Sequence, residues 1–220
     1  MLKLRDYNVS PNIGFLQEQP ATQLPDYYES WCHIAANLPT TIENDTIRNI
    51  VDQMPQLDVE HILNAKDRTK LLGLAHLHLA SIAAGYVWSA GDEYIPRRLP
   101  KNLAVPFYQI SQAVRLPPIV CHGSAVLRNH CFKNGFQSNY DSLLLSNATT
   151  SLDYDQLDQN SNMVGLFAPE HLSMISAKFI RESDNDGFFL LTVQIEAEFA
   201  PALRAITRAV TGKIPRLFIE

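Results

Sequence analysis

The chain has 220 residues, of which 46% are hydrophobic and 19% are charged, a composition typical of a globular protein rather than a disordered one. The formal net charge is −5 and no run of lysine and arginine occurs, which argues against a nucleic-acid partner. Cys32, Cys121 and Cys131 form no CxxC pair, so we expect neither a disulfide framework nor a zinc site, and we favour the reducing cytoplasm.

The first third of the chain predicts a series of short helices. Pro11, Pro20 and Pro25 interrupt the beginning, and apolar residues then recur at three- and four-residue steps. Pro39 is expected to end the first helix, and a capping box running from Thr40 is expected to begin the second. The predicted bounds are an irregular arm over 1–24 and helices over 26–38, 40–54 and 58–63.

The most apolar segment, residues 71–88, carries no Asp, Glu, Lys or Arg across 18 positions. This length reaches the lower limit for a membrane-spanning helix. We favour a buried core helix that begins at Asp67, because the segment contains polar and small residues and a helix apolar on all sides suits a protein core. His76 and His78 are two positions apart, so they project in different directions and cannot bind one metal ion together.

The next part of the chain alternates between extended and helical patterns. Residues 94–103 predict an extended, basic segment, followed by a helix with Pro106 in its first turn. Residues 131–163 are rich in Asn, Ser, Asp and Gln and predict a long surface loop or insertion. A short strand is predicted over 174–180, followed by a turn through Gly187.

The clearest helical pattern begins at Phe188 and continues to Val210, with a kink expected at Pro201 and a stop at Gly212. Together these elements predict a mainly α fold with room for one short strand pair. The residues alone predict little chemistry. The seven histidines form no HxxxH or HExxH pair for zinc, no GxSxG motif is present, and the pair Cys121–His122 has no visible orienting residue.

Four segments resemble the indoleamine 2,3-dioxygenase family and follow one another in the family's order. The first segment is LPDYY at 24–28, followed by Trp31 and Leu38-Pro39, and the second is GYVW at 85–88. The third is LPKNLAVP at 99–106 with LPPIV at 116–120, and the fourth is GFFLL at 187–191 with Glu196. The resemblance implies a mainly α fold in which a small N-terminal domain and a larger helical domain enclose haem b. It divides this chain into an arm (1–24), a small helical domain with a polar insertion (25–186) and the start of the haem-side domain (187–220).

The resemblance also implies an activity. Members of this family are haem-dependent oxidoreductases that insert both atoms of O2 across the indole C2–C3 bond of L-tryptophan, or of a related indole, to give N-formylkynurenine. The implied pathway is the kynurenine route to NAD or a specialised-metabolite route. The implied partners are a small-molecule substrate and O2, with neither nucleic acid nor a membrane.

Six residues match the family's substrate-facing wall. The first phenylalanine of an aromatic pair lies near the indole in the family, and a small hydroxyl residue stands above the haem. Animal members carry a tyrosine where this chain has His122, and a histidine there can hydrogen-bond a modified indole. The alternative for Phe188 is an ordinary core position on a long amphipathic helix. The matched positions are His122, Ala125, Val126, Phe188, Phe189 and Thr192.

Members of the family continue well beyond the length of this chain. Their haem-ligating histidine, an arginine for the substrate carboxylate and a Gly-rich loop lie in the second half, so we assign no metal ligand and no catalytic residue here. We expect a truncated chain that needs a complementary C-terminal half and binds haem weakly or not at all alone. The open alternatives are a haem enzyme, a non-catalytic binding or structural module and, with less support, a membrane-anchored protein using residues 71–88.

Overall fold

The computed structural model describes residues 4–7, 9–133, 136–137, 141–142, 165–181 and 183–210. These residues form a mainly α structure with one short antiparallel strand pair, as the sequence predicted. The helices are α1 (Glu29–Ala36), α2 (Leu38–Glu43), α3 (Ile47–Gln53), α4 (Glu60–Leu63), α5 (Arg68–Trp88), α6 (Lys101–Val114), α7 (His122–Ala125), α8 (Ser183–Glu198) and α9 (Ala200–Val210). The strands are β1 (Cys131–Phe132) and β2 (Leu172–Ser173).

The chain divides into two compact units. The first, which we call the core unit, comprises Gln19–Cys131 and Met174–Phe189. The second, which we call the terminal unit, comprises Met1–Glu18, Phe132–Ser173 and Leu190–Glu220. The division into an arm, a small domain and a haem-side segment that the family resemblance implies stays a prediction.

Helix α5 is the centre of the core unit. It packs against α1, α3, α4, α6 and α7, and its side chains are buried on every face between Leu72 and Ala83. The helix is long and apolar enough to cross a membrane, but 78% of its apolar window lies buried inside the protein. This burial is what the sequence predicted for a core helix. The predicted cap residue Asp67 does precede α5, although its side chain makes no capping hydrogen bond.

Arg48 of α3 stabilises the C-terminal end of α5. Its Nε donates to the carbonyl of Tyr86 at 2.9 Å, and its Nη2 donates to the carbonyls of Val87 at 3.1 Å and Tyr94 at 2.8 Å. The last carbonyls of a helix have no partner within the helix, so the guanidinium supplies the missing donors. Arg48 therefore ties α3 to the end of the core helix.

Pro39 begins a helix rather than ending one, which corrects the prediction. It lies in the first turn of α2, where the missing N–H of proline costs no helical hydrogen bond. The predicted helix over 40–54 is divided after α2, because Asp45 adopts a φ of 51° in the left-handed region. Thr40 lies inside α2 and Glu43 is its last residue, so the two cannot form the predicted capping box.

The predicted start of α6 at Pro106 is also wrong, because the helix begins at Lys101. Proline inside a helix removes one backbone hydrogen bond. The amphipathic pattern compensates for this loss, since Leu103, Phe107 and Ile110 are almost completely buried along one face. Periodicity therefore decided the bounds of this helix more strongly than proline did.

The second part of the chain contains two further corrections. The predicted strand over 174–180 is wrong, since the strand paired with β1 is β2. The predicted turn through Gly187 is part of α8, whose first turn carries Asp184 and Asp186 in the position that the helix dipole favours. The expected kink near Pro201 is a break between α8 and α9. Most of the predicted polar insertion and Gly212 lie outside the described residues.

Candidate functional site

Helix α7 is a single turn whose N-terminus is fixed by the side chain of Ser124. This hydroxyl is completely buried; it accepts from the amide of Cys121 at 3.4 Å and donates to the carbonyl of Cys121 at 3.1 Å. The turn leaves His122 exposed, while Ala125 and Val126 are only 6% and 3% exposed. Of the three predicted site residues on this segment, His122 is thus the one with a solvent-facing side chain.

Helix α8 carries the other three predicted site residues. The rings of Phe188 and Phe189 meet edge to face, with centroids 5.4 Å apart, and Thr192 follows one turn after Phe188. Phe188 is 68% exposed, so it is not the ordinary core residue that its periodicity alone indicated. Exposing a phenylalanine forgoes about 1.5–3 kcal/mol of burial energy, so this ring is a candidate contact for a ligand or a polypeptide.

The predicted site residues therefore lie on two segments. The first is α7 together with Val126, which follows it, and the second is α8. His122, Ala125 and Val126 lie together on the α7 segment. Phe188 and Phe189 lie together on α8. A common ligand for both elements stays a prediction.

Sequence reasoning missed one charged side chain beside α7. Arg128 is half-buried, and its Nη1 donates to the carbonyl of Gly123 at 2.6 Å. No carboxylate among the described residues lies within ion-pair distance of it. Burial lowers the pKa of the Arg128 guanidinium. The signal available in the sequence was weak: a single arginine inside an otherwise uncharged stretch from Cys121 to Cys131.

A buried histidine of α5 is electrostatically coupled to this arginine. His76 is completely buried, and its Nε2 lies 3.0 Å from the carbonyl of Pro117, which can only accept, so Nε2 carries the proton. Its Nδ1 is then an acceptor, and no described residue donates to it. Burial lowers the pKa of His76, and the positive charge of Arg128 lowers it further.

Two other histidines are enclosed by protein. His78 is 4% exposed and His130 is 2% exposed, and burial lowers the pKa of each to about 4. The remaining histidines are partly or largely exposed, and two of them have aromatic neighbours: His61 lies against Tyr27, and His171 is stacked on the ring of Phe136. In the described part of the chain, no three His, Cys, Asp or Glu side chains converge as a metal site would require.

Comparison with known proteins gives consistent matches over nearly the whole chain. The sequence profile described as Indoleamine 2,3-dioxygenase matches residues 3–214. Indoleamine 2,3-dioxygenase 1 of Rattus norvegicus is 32% identical over 92% of this chain, and 6-hydroxytryptophan 2,3-dioxygenase of Fusarium equiseti is 29% identical over 96%. A protein named myoglobin from Haliotis diversicolor is 34% identical over 61% of this chain. The chain spans 42% of the rat protein, 44% of the fungal protein and 34% of the abalone protein.

Proposed function

Because the chain belongs to the indoleamine 2,3-dioxygenase family, we propose that it supplies the substrate-facing side of a haem-dependent dioxygenase acting on tryptophan or a related indole. The reaction adds O2 across the indole C2–C3 bond to give N-formylkynurenine. The observation that carries the proposal is the aromatic pair Phe188–Phe189, of which Phe188 is exposed, at the position matching the family's indole contact. The pathway is the kynurenine route or a specialised-metabolite route, in the cytoplasm.

The proposed substrate wall combines a flat apolar surface with one polar group. Phe188 offers an exposed ring on which an indole can stack, with a gain of about 0.5–1.5 kcal/mol beyond burial. Thr192 offers a hydroxyl one turn further along α8, and His122 offers a ring nitrogen on α7. The name of the Fusarium equiseti relative supports a hydroxylated indole as one candidate substrate, since a histidine can hydrogen-bond an added hydroxyl.

Haem is the cofactor of this family, and the protein must supply an axial ligand to its iron. The buried histidines do not fit that role, because His76, His78 and His130 are each at most 4% exposed. We therefore assign to this chain one wall of a haem pocket and not the iron ligand.

We propose that the ligand comes from the polypeptide that the relatives carry outside the matched region, bound to an apolar face of α8 and α9. In the terminal unit, the opposite side of these helices is buried through Val193, Ala197 and Ala200. The proposed face consists of exposed apolar side chains that recur at helical spacing on α8 and on α9. Its exposed members are Leu191, Ile195, Phe199, Ile206 and Val210.

The occupant we propose is the complementary half of the family fold, because more than half of the rat protein lies outside the match. The test is co-purification of the chain with that part of the rat protein. Ile195→Glu should abolish the complex, whereas Gln112→Glu, which adds the same charge on the exposed side of α6, should leave it intact. Complex formation by the Ile195→Glu protein would contradict the proposed surface.

A second candidate function is a non-catalytic binding or structural module. One observation favours it: a relative 34% identical to this chain is named myoglobin and not dioxygenase, so membership of the family does not by itself establish catalysis. The two candidates differ in what the assembled protein does with tryptophan. Turnover supports the enzyme, and ligand binding without turnover supports the module.

The experiment that decides between them is a turnover assay on the assembled protein, with haem and tryptophan supplied. Phe188→Ala should lower kcat/KM by about tenfold, because it removes the stacking surface. The matched control is Tyr108→Ala, which removes another exposed aromatic ring, this one from α6, and should change kcat/KM less than twofold. Equal effects of the two substitutions would show that Phe188 is not a substrate contact.

A further inference from the structure

Residues 174–179, which we call the connector, lead into α8 and belong to the core unit. Within the connector, Ala177 lies in the left-handed region with a φ of 64°, and it is only 2% exposed. Crowding at Cβ disfavours this conformation for an L residue, so it persists only where the surrounding structure holds it. The contacts that hold the connector are therefore the ones that fix the backbone leading into α8.

Asn129 holds the connector from the side of α7. It is 1% exposed, and its Oδ1 accepts from the backbone N–H of Ser176 at 2.9 Å. A backbone N–H can only donate, so the oxygen of the Asn129 side chain must be the atom that faces it. No described residue accepts from the Nδ2 of Asn129, so its side chain acts on the connector through the oxygen. The Asn129 backbone N–H donates to the carbonyl of Val126 at 3.3 Å, which joins this residue to the α7 segment.

The first two turns of α8 hold the connector from the other side. The side chain of Asn185 is buried, and its Oδ1 accepts from the backbone N–H of Phe179 at 3.3 Å. Its Nδ2 donates to the Sδ atom of Met174 at 3.5 Å, a weaker bond because sulfur is a poor acceptor. The Lys178 ammonium also pairs with the carboxylate of Asp186. Both ends of the connector are therefore bound to the start of the same helix.

We propose that Asn129 is a positioning residue for the substrate wall: it fixes the connector and thereby the place at which α8 presents Phe188. Phe188 follows Asn185 by three residues, so the two are neighbours on the helix surface. A ring that is 68% exposed depends on the backbone of its helix for its position. Misplacing a substrate contact by about 1 Å can lower a rate by about 10²-fold. This inference rests on the proposed indole-binding function, and it names a residue that aligns α8 with the α7 segment.

The first test follows the ring of Phe188 on the 220-residue chain labelled with 4-fluorophenylalanine, its ¹⁹F resonance being identified by its loss in Phe188→Leu. Asn129→Ala removes the acceptor for the Ser176 amide, so the Phe188 resonance should shift or broaden. Asn129→Asp keeps an acceptor oxygen in either protonation state, so it should return the resonance towards that of the unaltered chain.

The matched control is Asn102→Ala, which removes an amide side chain from α6. That amide donates to two carbonyls of the core unit, at Val51 and Met54, and to no atom of the connector. Its loss should lower the urea midpoint of unfolding and leave the Phe188 resonance unchanged. A shift in Asn129→Ala that exceeds the shift in Asn102→Ala therefore reports on position and not on stability alone.

A second measurement needs no variant. On the unaltered chain, the Ser176 amide should exchange with D2O about a hundredfold or more slowly than an unprotected amide, because its proton lies in a buried bond to Asn129. Should Asn129→Ala fail to fold, which circular dichroism would show, this exchange rate carries the test. Exchange at the unprotected rate would show that Asn129 does not hold the connector.

Turnover by the protein assembled with its complementary half relates the position of Phe188 to the reaction. Asn129→Ala should lower kcat/KM for tryptophan about tenfold, and Asn129→Asp should recover most of that loss. Asn102→Ala should stay within about twofold of the unaltered protein.

Two results would overturn the inference and leave the indole-binding proposal standing, because the spectroscopic readouts need no indole. The first is an unmoved Phe188 resonance in folded Asn129→Ala. The second is a moved resonance with unchanged kcat/KM, which would show that the connector does not set the substrate wall. Failure of the indole-binding proposal is recognised separately, by a Phe188→Ala protein that turns over tryptophan as well as the unaltered one.

Discussion

Lowering the pH from 7 to 5 should destabilise the core unit strongly, because this unit buries histidines in their neutral form. Burial lowers the pKa of His78 from 6.5 to about 4, and no charged group contributes to the change. The folded protein therefore binds fewer protons than the unfolded chain between these values, so stability is complete above pH 6.5 and is lost as the pH falls towards 4. One pKa unit corresponds to about 1.4 kcal/mol, so His78 alone accounts for about 3 kcal/mol across this range.

His130 adds a similar amount, since burial also lowers its pKa to about 4, against the opposing effect of the Val126 carbonyl. Together the two rings remove about 6 kcal/mol between pH 6.5 and 4, which is comparable with the whole stability of an ordinary domain. Between pH 7 and pH 5 each ring should account for about 2 kcal/mol.

The assay is urea unfolding at pH 7 and pH 5, followed by circular dichroism, on the unaltered chain, His78→Leu and the control His33→Gln at an exposed position. His78→Leu should reduce the loss of unfolding free energy by about 2 kcal/mol, because leucine cannot take up a proton. The substitution should lower the unfolding free energy only slightly at pH 7, because the Nδ1 of His78 has no described partner whose hydrogen bond would be lost. The same pH dependence in His78→Leu and in the unaltered chain would refute the reasoning.

Three further predictions concern the packing around α5, each measured as a change in unfolding free energy. Arg48→Ala should cost about 2 kcal/mol, because it removes two hydrogen bonds to carbonyls at the end of α5 and one to the carbonyl of Tyr94, and Arg48→Lys should recover part of that loss. Gly85→Ala should cost about 1–3 kcal/mol, since a Cβ there would lie 2.6 Å from the Cδ1 atom of Ile47. Asn102→Ala should cost about 1–3 kcal/mol through its bonds to the carbonyls of Val51 at 2.7 Å and Met54 at 2.6 Å. Changes below 0.5 kcal/mol would contradict each assignment.

The parts of the fold that could be predicted from the sequence are those with a strong periodic or compositional signal. Helix α5 was predicted because its apolar residues continue around the whole helix, and the mainly α class followed from the repeated three- and four-residue steps. Two helix starts were misplaced because Pro39 and Pro106 were given more weight than the amphipathic pattern, although proline is tolerated in a first turn and can be outweighed by burial elsewhere.

The candidate site could not be recognised from the periodicity of apolar residues. Phe188 looks like a core residue in the sequence, and its exposure became visible only in the folded chain. Arg128 has only a weak sequence signal, because its burial and the absence of a carboxylate near it in the described residues are properties of the folded chain. Burial and pairing are properties of tertiary structure, so a single sequence cannot display them.

Hemin titration tests the central claim most directly, that this chain supplies the substrate-facing side of a haem site whose iron ligand lies elsewhere. Absorbance would be recorded for the chain alone and for the chain mixed with the part of the rat relative outside the match, each with and without imidazole as an added axial ligand. We expect a stoichiometric complex, with N-formylkynurenine formed from tryptophan, in the mixture and not in the chain alone. A stable one-to-one haem complex of the chain alone that oxidises tryptophan would contradict the account.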